Sequence, residues 1–357
     1  MRQKSLSLLP IAFLCSLSIN SVFCQQKCRA LALSGGANKG VYEVGILYGF
    51  AHSDHAPDYY YDVVTGVSVG AINAGAVAAW KKEDLLPMSE WLKELWSNLT
   101  TDKVYQKWTT GYVDGLMNQR GLYDNSPLLN TLQNALSQFK QLGKKLVVAA
   151  VDVNTGQYVT FDEQIPMKDV PTAILASASI PFVFPPTVFQ DHTLMDGGTV
   201  WNTNLVSAVD KCKSMGFKEE DVIIDTIMMD QPALSTEDKG KSLNSIENFF
   251  RKREITSYYY TISDIERFKN ALPKVFLRHF ITPSIPLASG LGKLSFDWKD
   301  TEFMFNAGLK DAQTYLGKEP GRAFMLMDQW KKDPSLQKEF PQFTSYIGKH
   351  LYSDHLY

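Results

Sequence analysis

Two rhythms of apolar and polar positions alternate along this chain. Arg29 to Leu33 is a short apolar run ending in Ser34-Gly35-Gly36-Ala37-Asn38-Lys39-Gly40, after which Val41, Val44, Ile46, Leu47 and Phe50 recur at helical spacing. The order strand, glycine loop, helix returns in the run Tyr61 to Thr65, the turn around Ser68 and the small-residue stretch Ala71 to Ala76. Leu128, Leu129, Leu132, Leu136 and Phe139 mark a further helix, followed by the continuous apolar run Leu146 to Val151. A helical stretch from about Leu205 to Met215 precedes a late strand, Asp221 to Met228. Continuous apolar strands alternating with helices predict a mainly parallel sheet covered on both faces. Gln231 to Leu243 is polar and reads as an exposed loop leading to a more helical C-terminal region, where Met304, Phe305, Leu309, Ala312 and Leu316 fit a covering helix.

Length and composition refine this only in places. At 357 residues and 45% hydrophobic content the chain can bury one large core, and one α/β domain with an appendage or two domains both fit. Its 36 Lys+Arg against 38 Asp+Glu give no electrostatic reason to expect a nucleic-acid partner. The N-terminus says more. Arg2 and Lys4 precede the largely apolar run Leu6 to Ile19 and the sequence Val22-Phe23-Cys24, which predicts a secretory signal peptide over residues 1–24. A signal anchor or a buried N-terminal helix is the alternative, disfavoured because the run is shorter than the ~20 residues of a membrane-spanning helix. A secreted protein, or one of the secretory-pathway lumen, is therefore expected. Cleavage would leave Cys28 and Cys212, which an oxidising route allows to pair and which could equally remain separate thiols. Asn98-Leu99-Thr100 is a glycosylation sequon that fits this route if it is exposed.

The chemistry centres on Gly66-Val67-Ser68-Val69-Gly70, placed between a strand and a helix as in a nucleophile elbow. A turn that lifts a serine hydroxyl above a sheet edge leaves no room for side chains beside the backbone, which accounts for Gly66 and Gly70. A structural turn would have the same residues. The upstream loop adds weight, because consecutive glycines before a helix leave backbone N–H groups uncovered for an oxyanion. Neither Gly-x-x-x-x-Gly-Lys-Ser/Thr nor Gly-x-Gly-x-x-Gly occurs there, which disfavours a phosphate-binding or dinucleotide loop. The candidate base is Asp196 in Leu194-Met195-Asp196-Gly197-Gly198, whose burial would raise its pKa; an Asp-Gly hairpin turn is the bland alternative. His192, His279, His350 and His355 follow Ser68 but sit in no motif, and no metal-binding pattern or cofactor signature is present in the sequence.

These segments, with Ala176-Ser177-Ala178-Ser179-Ile180-Pro181-Phe182-Val183-Phe184-Pro185-Pro186, resemble the patatin-like phospholipase family. Its members carry a Gly-Gly-Gly-x-Lys/Arg-Gly loop, a Gly-x-Ser-x-Gly elbow and an Asp-Gly-Gly/Ala block in that order, matched here by Gly35 to Gly40, Gly66 to Gly70 and Asp196 to Gly198. The resemblance covers Arg29 to Thr226, and returns faintly at Phe296 to Leu316. It implies an α/β fold, a three-layer αβα sandwich, and catalysis by a Ser-Asp dyad without a cofactor or metal. Ser68 would be the nucleophile, Asp196 the base, and the amides of Gly35, Gly36 and Ala37 the oxyanion hole. Lys39 matches the family's basic position, where it would shape the loop electrostatically; a solvent-facing lysine at a helix start is the other reading. Ala37 departs from the family's third glycine, and a positive φ there would cost alanine about 1 kcal/mol or more.

The resemblance implies an acyl hydrolase of phospholipid or lysophospholipid esters, meeting its substrate at a membrane or micelle surface. Neutral lipid, galactolipid or other carboxylic esters are alternative substrates, and a non-catalytic lipid-binding or storage protein is the alternative class. Phe182, Val183 and Phe184 could flank an acyl chain or pack the core, and Tyr258 to Tyr260 and Leu287 to Leu291 could touch a membrane. The expected organisation is a signal peptide over 1–24, a catalytic domain over 25–320 and a tail over 321–357.

Overall fold

A computed structural model describes residues 26–229, 243–288, 290–318 and 320–321. The expected signal peptide, nearly all of the polar stretch 231–243, the tail beyond Gly321 with His350 and His355, and the side chains of Tyr258 to Tyr260 and Leu291 lie outside the described residues. In chain order the elements are β1 (Cys28–Leu33), α1 (Gly40–Ala51), β2 (Val63–Val67), α2 (Val69–Ala78), α3 (Leu85–Ser97), α4 (Gly111–Met117), α5 (Ser126–Leu136), β3 (Lys145–Asp152) and β4 (Tyr158–Asp162). They continue with α6 (Val170–Ser177), β5 (Thr187–Phe189), β6 (His192–Asp196), α7 (Leu205–Ser214), β7 (Val222–Ile227), α8 (Ser245–Ala271), β8 (Phe276–Ile281) and α9 (Trp298–Leu316).

The strands form one sheet in the order β5-β6-β3-β2-β1-β7-β8, with β4 also paired to β3. Pairings from β3 through β2, β1 and β7 to β8 are parallel, while β4, β5 and β6 are antiparallel. Alternation along the strands divides the apolar residues between two faces, as the pleat requires. On β1, Leu31 and Leu33 join Val64, Leu146 and Val148 in a core covered by α1, α2, α3, α5, α6 and α9. Ala30 and Ala32 point the other way and join Val63, Val222 and Ile224 under Leu205 and Val209 of α7 and Ile265 and Phe268 of α8. The result is the expected three-layer αβα sandwich. Cys28 and Cys212 are disulfide-bonded, tying the first strand to α7 across a sequence separation of 184.

One feature of the sheet places the functional site. β2 pairs residues 145–149 of β3 and ends at Val67, opposite Ala149. On the same edge of β3, starting from the next residue, Ala150 pairs with Asp196 of β6. β6 therefore arrives where β2 stops, and its last residue comes to the end of the strand that leads to Ser68.

Candidate active site

Ser68 occupies a sharp turn between β2 and α2, with φ 56° and ψ −128°. A serine in this sparsely populated region stores backbone strain. The flanking glycines are required by close backbone approach: a Cβ on Gly66 would lie 2.2 Å from the Gly70 carbonyl oxygen, and one on Gly70 would lie 2.5 Å from the carbonyl oxygens of Leu33 and Ser34. The elbow is thus pressed against the end of β1, and Ser68 is only 4% exposed.

Asp196 is fully buried at the end of β6. It is not part of a hairpin turn, since its Oδ1 accepts from the Gly198 N–H at 2.7 Å and starts a short 3-10 turn over Gly197–Thr199. Both members of the expected dyad are tied to one segment. The Ser68 N–H donates to Ser177 Oγ at 2.9 Å, and the Asp196 N–H donates to the Ser179 carbonyl at 2.9 Å. The Ala-Ser-x-Ser stretch at the end of α6 therefore fixes nucleophile and carboxylate relative to each other. Sequence reading recognised this block but gave its serines no role.

Burial raises the Asp196 pKa, and the Arg253 charge, the Ser68 hydroxyl and the Gly198 N–H pull it back. The Ser68 hydroxyl is close enough to act on the carboxylate, yet Asp196 Oδ2 is buried without a partner at full hydrogen-bond geometry. Ser68 and Asp196 thus stand side by side, with one oxygen of the carboxylate unpartnered among the described residues.

The glycine loop behaves partly as its sequence suggests. The Gly35 N–H already donates to the Asn202 carbonyl at 3.1 Å, so the expectation that Gly35 supplies an open oxyanion donor is not met. The N–H groups of Gly36 and Ala37 have no acceptor among the described residues, and both residues border the space in front of Ser68. Ala37 has φ 55°, the left-handed conformation that favours glycine. Lys39 does not face solvent: it is 6% exposed and its Nζ donates to the Met229 carbonyl at 3.0 Å, holding the loop to the chain just after β7. Gly40 opens α1, and Gly197 packs on the Ala149 carbonyl of β3. Asn202, which sequence reading missed, donates from Nδ2 to the Gly35 carbonyl at 3.1 Å and also stands against Gly198, so it joins the loop to the aspartate block.

Beneath the loop, Glu43 is buried and accepts from Asn73 Nδ2 at 2.7 Å, while Asn73 Oδ1 accepts from Trp96 Nε1 at 2.9 Å. Burial raises the Glu43 pKa, and the hydrogen bonds from Asn73 and the Ser34 N–H pull it back.

Two cavities meet at Ala37, Ser68 and Ile180. One, of about 880 Å³, is walled by apolar side chains that include Ile72, Trp96, Leu132, Ile174 and Phe296. The other, of about 1070 Å³, is bordered by the glycine loop, Gly198, Asn202 and the N-terminal half of α8. Phe184 lines the apolar cavity, whereas Val183 is packed in a small cluster with Phe250 and Leu294. His192 takes a different partner, Asp152, with Nδ1 and Oδ2 at 2.8 Å, and buried His279 stands 3.2 Å from the Tyr59 hydroxyl. No group of three or more His, Cys, Asp or Glu suited to a metal occurs among the described residues.

A strained serine at the end of a parallel strand, a buried carboxylate beside it and an apolar cavity reaching the serine form one site at the edge of the α/β sheet. The family model for patatin-like phospholipases matches residues 31–209, and the chain belongs to that family. It is 26% identical over 195 residues to the cGAMP-activated phospholipase of Escherichia coli (strain TW11681), covering 49% of this chain and 52% of that protein. It is also 26% identical over 189 residues to the probable lipid hydrolase 463L of Invertebrate iridescent virus 6, covering 49% of this chain and 60% of that one. The chain thus spans only about half to three fifths of the curated relatives it matches. Among solved structures, VipD from Legionella pneumophila aligns over 83% of this chain and 67% of its own at 13% identity and a TM-score of 0.39.

Proposed function

We propose that the protein is a lipid acyl hydrolase that cleaves fatty-acyl esters of phospholipids or lysophospholipids through an acyl-serine intermediate. The observation that carries this reading is the apolar cavity ending at Ser68, beside a carboxylate that burial has made more basic. Ser68 Oγ attacks the ester carbonyl as its proton passes to Asp196 Oδ2. The N–H groups of Gly36 and Ala37 stabilise the oxyanion, and collapse expels the alcohol, which takes the proton from Asp196. Water, deprotonated by the same carboxylate, then attacks the acyl-serine and releases the fatty acid.

The left-handed φ of Ala37 bears on the non-catalytic alternative. Alanine adopts the left-handed conformation that favours glycine and still borders the cavity, which supports an intact loop over a worn-out site.

The reading includes an encounter with a lipid aggregate. Tyr112, Val113, Leu116 and Met117 on the seven-residue helix α4 are 43%, 78%, 40% and 77% exposed and share one side of the helix. Tyr112 packs edge-on against Tyr123, which packs on Tyr105, and Tyr105 contacts Phe184 and Phe296 of the apolar cavity. α4 thus adjoins the entrance an acyl chain would use. A secretory route is part of the same proposal, supported by the Cys28–Cys212 bond and by the exposed position of Asn98 at the end of α3.

Fatty-acid release from a panel of phospholipid, lysophospholipid, galactolipid and neutral-lipid esters tests the reading. Release from the phosphate-bearing esters, lost in folded Ser68→Ala and Asp196→Asn variants, is expected. Lipid binding without release from any ester would overturn it.

A further inference from the structure

The cavity opposite the acyl pocket is basic. Lys252 and Arg253 of α8 border it together with Lys39 and Lys293. Its acidic neighbour Glu254 is offset by Arg251, with Nη1 and Oε2 at 3.4 Å. Lys39 is committed to the Met229 carbonyl. Arg253 differs, because it makes no hydrogen bond or ion pair among the described residues although it is largely buried. Its charge nevertheless reaches the buried carboxylate of Asp196. A guanidinium with no hydrogen-bonded counter-ion among the described residues therefore borders the cavity onto which Ser68 opens, on a helix that begins beyond the family match at residue 209.

We propose that Arg253, with Lys252 beside it, binds the phosphate of a phosphate-bearing acyl ester and so selects phospholipids over uncharged lipid esters. This rests on the proposed function and names what recognises the head group. The two cavities share Ala37, Ser68 and Ile180, so an ester held at Ser68 has its acyl chain on one side and its alcohol portion on the other. In a glycerophospholipid the phosphate and the nearer acyl ester sit on adjacent carbons of glycerol, which keeps the phosphate within the second cavity. Arginine suits the task, since its planar fork pairs two phosphate oxygens at once.

Occupancy has a second effect. The groups facing Asp196 are the Ser68 hydroxyl, the Tyr158 phenol of β4, which also faces Asp264 of α8, and Arg253. A phosphate neutralising Arg253 weakens the field that opposes the burial-raised pKa of Asp196, and the bound substrate thereby makes the general base stronger.

Lysophosphatidate and monoacylglycerol of the same acyl chain, in the same detergent micelles, differ only by the phosphate. For Arg253→Gln the ratio of their kcat/KM values should fall about tenfold or more, with partial recovery in Arg253→Lys. An unchanged ratio overturns the proposal even if both rates fall. A second arm does not depend on turnover: calorimetry of the Ser68→Ala protein with glycerol 3-phosphate and with inorganic phosphate. Binding of glycerol 3-phosphate that Arg253→Gln abolishes supports the assignment, and no binding overturns it. Inorganic phosphate bound as tightly as glycerol 3-phosphate would mark a free-phosphate site and overturn the head-group role. If neither ester is hydrolysed by the unaltered protein, the proposed function fails, while the calorimetry still decides the role of Arg253.

Discussion

Replacing Ser68 by glycine should make the protein more stable while abolishing turnover. The reason is the backbone, since Ser68 holds φ 56° and ψ −128° and its N–H is fixed by Ser177. A side-chain-bearing residue in such a region costs about 1–3 kcal/mol, and glycine relieves it at an unfolded-state cost of about 0.5–1 kcal/mol. The net gain is about 1 kcal/mol, or roughly 2–4 °C in Tm for a domain of this size class. Ser68→Ala is the control, because it removes the same hydroxyl but keeps the Cβ and hence the strain. Differential scanning calorimetry of the three proteins at one pH should rank Ser68→Gly highest, with Ser68→Ala close to the unaltered chain. Ser68→Gly melting at or below Ser68→Ala would show that the elbow stores no strain and would refute this reasoning.

Other expectations follow from the same geometry. Gly70→Ala sets a Cβ 2.5 Å from two backbone carbonyl oxygens, whereas Gly36→Ala meets only the Met229 side chain at 2.9–3.0 Å. Urea titration should show Gly70→Ala losing about 3 kcal/mol or more and Gly36→Ala clearly less. Asp196 has a folded pKa raised above its unfolded value, so between the two the folded state binds the extra proton and stability falls as pH rises. Asp196→Asn should therefore melt higher than the unaltered protein near neutral pH, and the acid limb of kcat/KM should lie above the ordinary aspartate value. An acid limb at or below that value would contradict the assignment. Val113→Ser with Met117→Ser on α4 should weaken sedimentation with phosphatidylcholine vesicles and leave hydrolysis of a monomeric short-chain ester unaffected; equal loss in both assays would count against an interfacial role.

The catalytic candidates were legible because each is marked by local backbone demands. Gly66 and Gly70 announce a turn too tight for side chains, and Ala37 could be singled out as a misfit before its left-handed φ was known. What the sequence concealed is contact made far along the chain. Ser177 reaches the Ser68 amide across 109 residues, and Asn202 reaches Gly35 across 167. Neither sits in a pattern that requires such a partner. The antiparallel strands were missed for another reason: Tyr158–Asp162 has only one fully buried residue, so it lacks the continuous apolar run of β3. α8 was hidden because its apolar residues serve two different clusters, Phe250 at the mouth of the site and Ile265 and Phe268 under the sheet, leaving no single stripe. Arg253 lies on that helix, which explains why the basic cavity could not be read from sequence.

The central claim, that Ser68 is a nucleophile activated by Asp196, is tested most directly by covalent labelling with a fluorophosphonate followed by peptide mass mapping. The account requires one adduct, on the peptide containing Ser68, that disappears in Ser68→Ala and forms far more slowly in Asp196→Asn. An adduct on another residue, or labelling of Ser68 at full rate without Asp196, would contradict it.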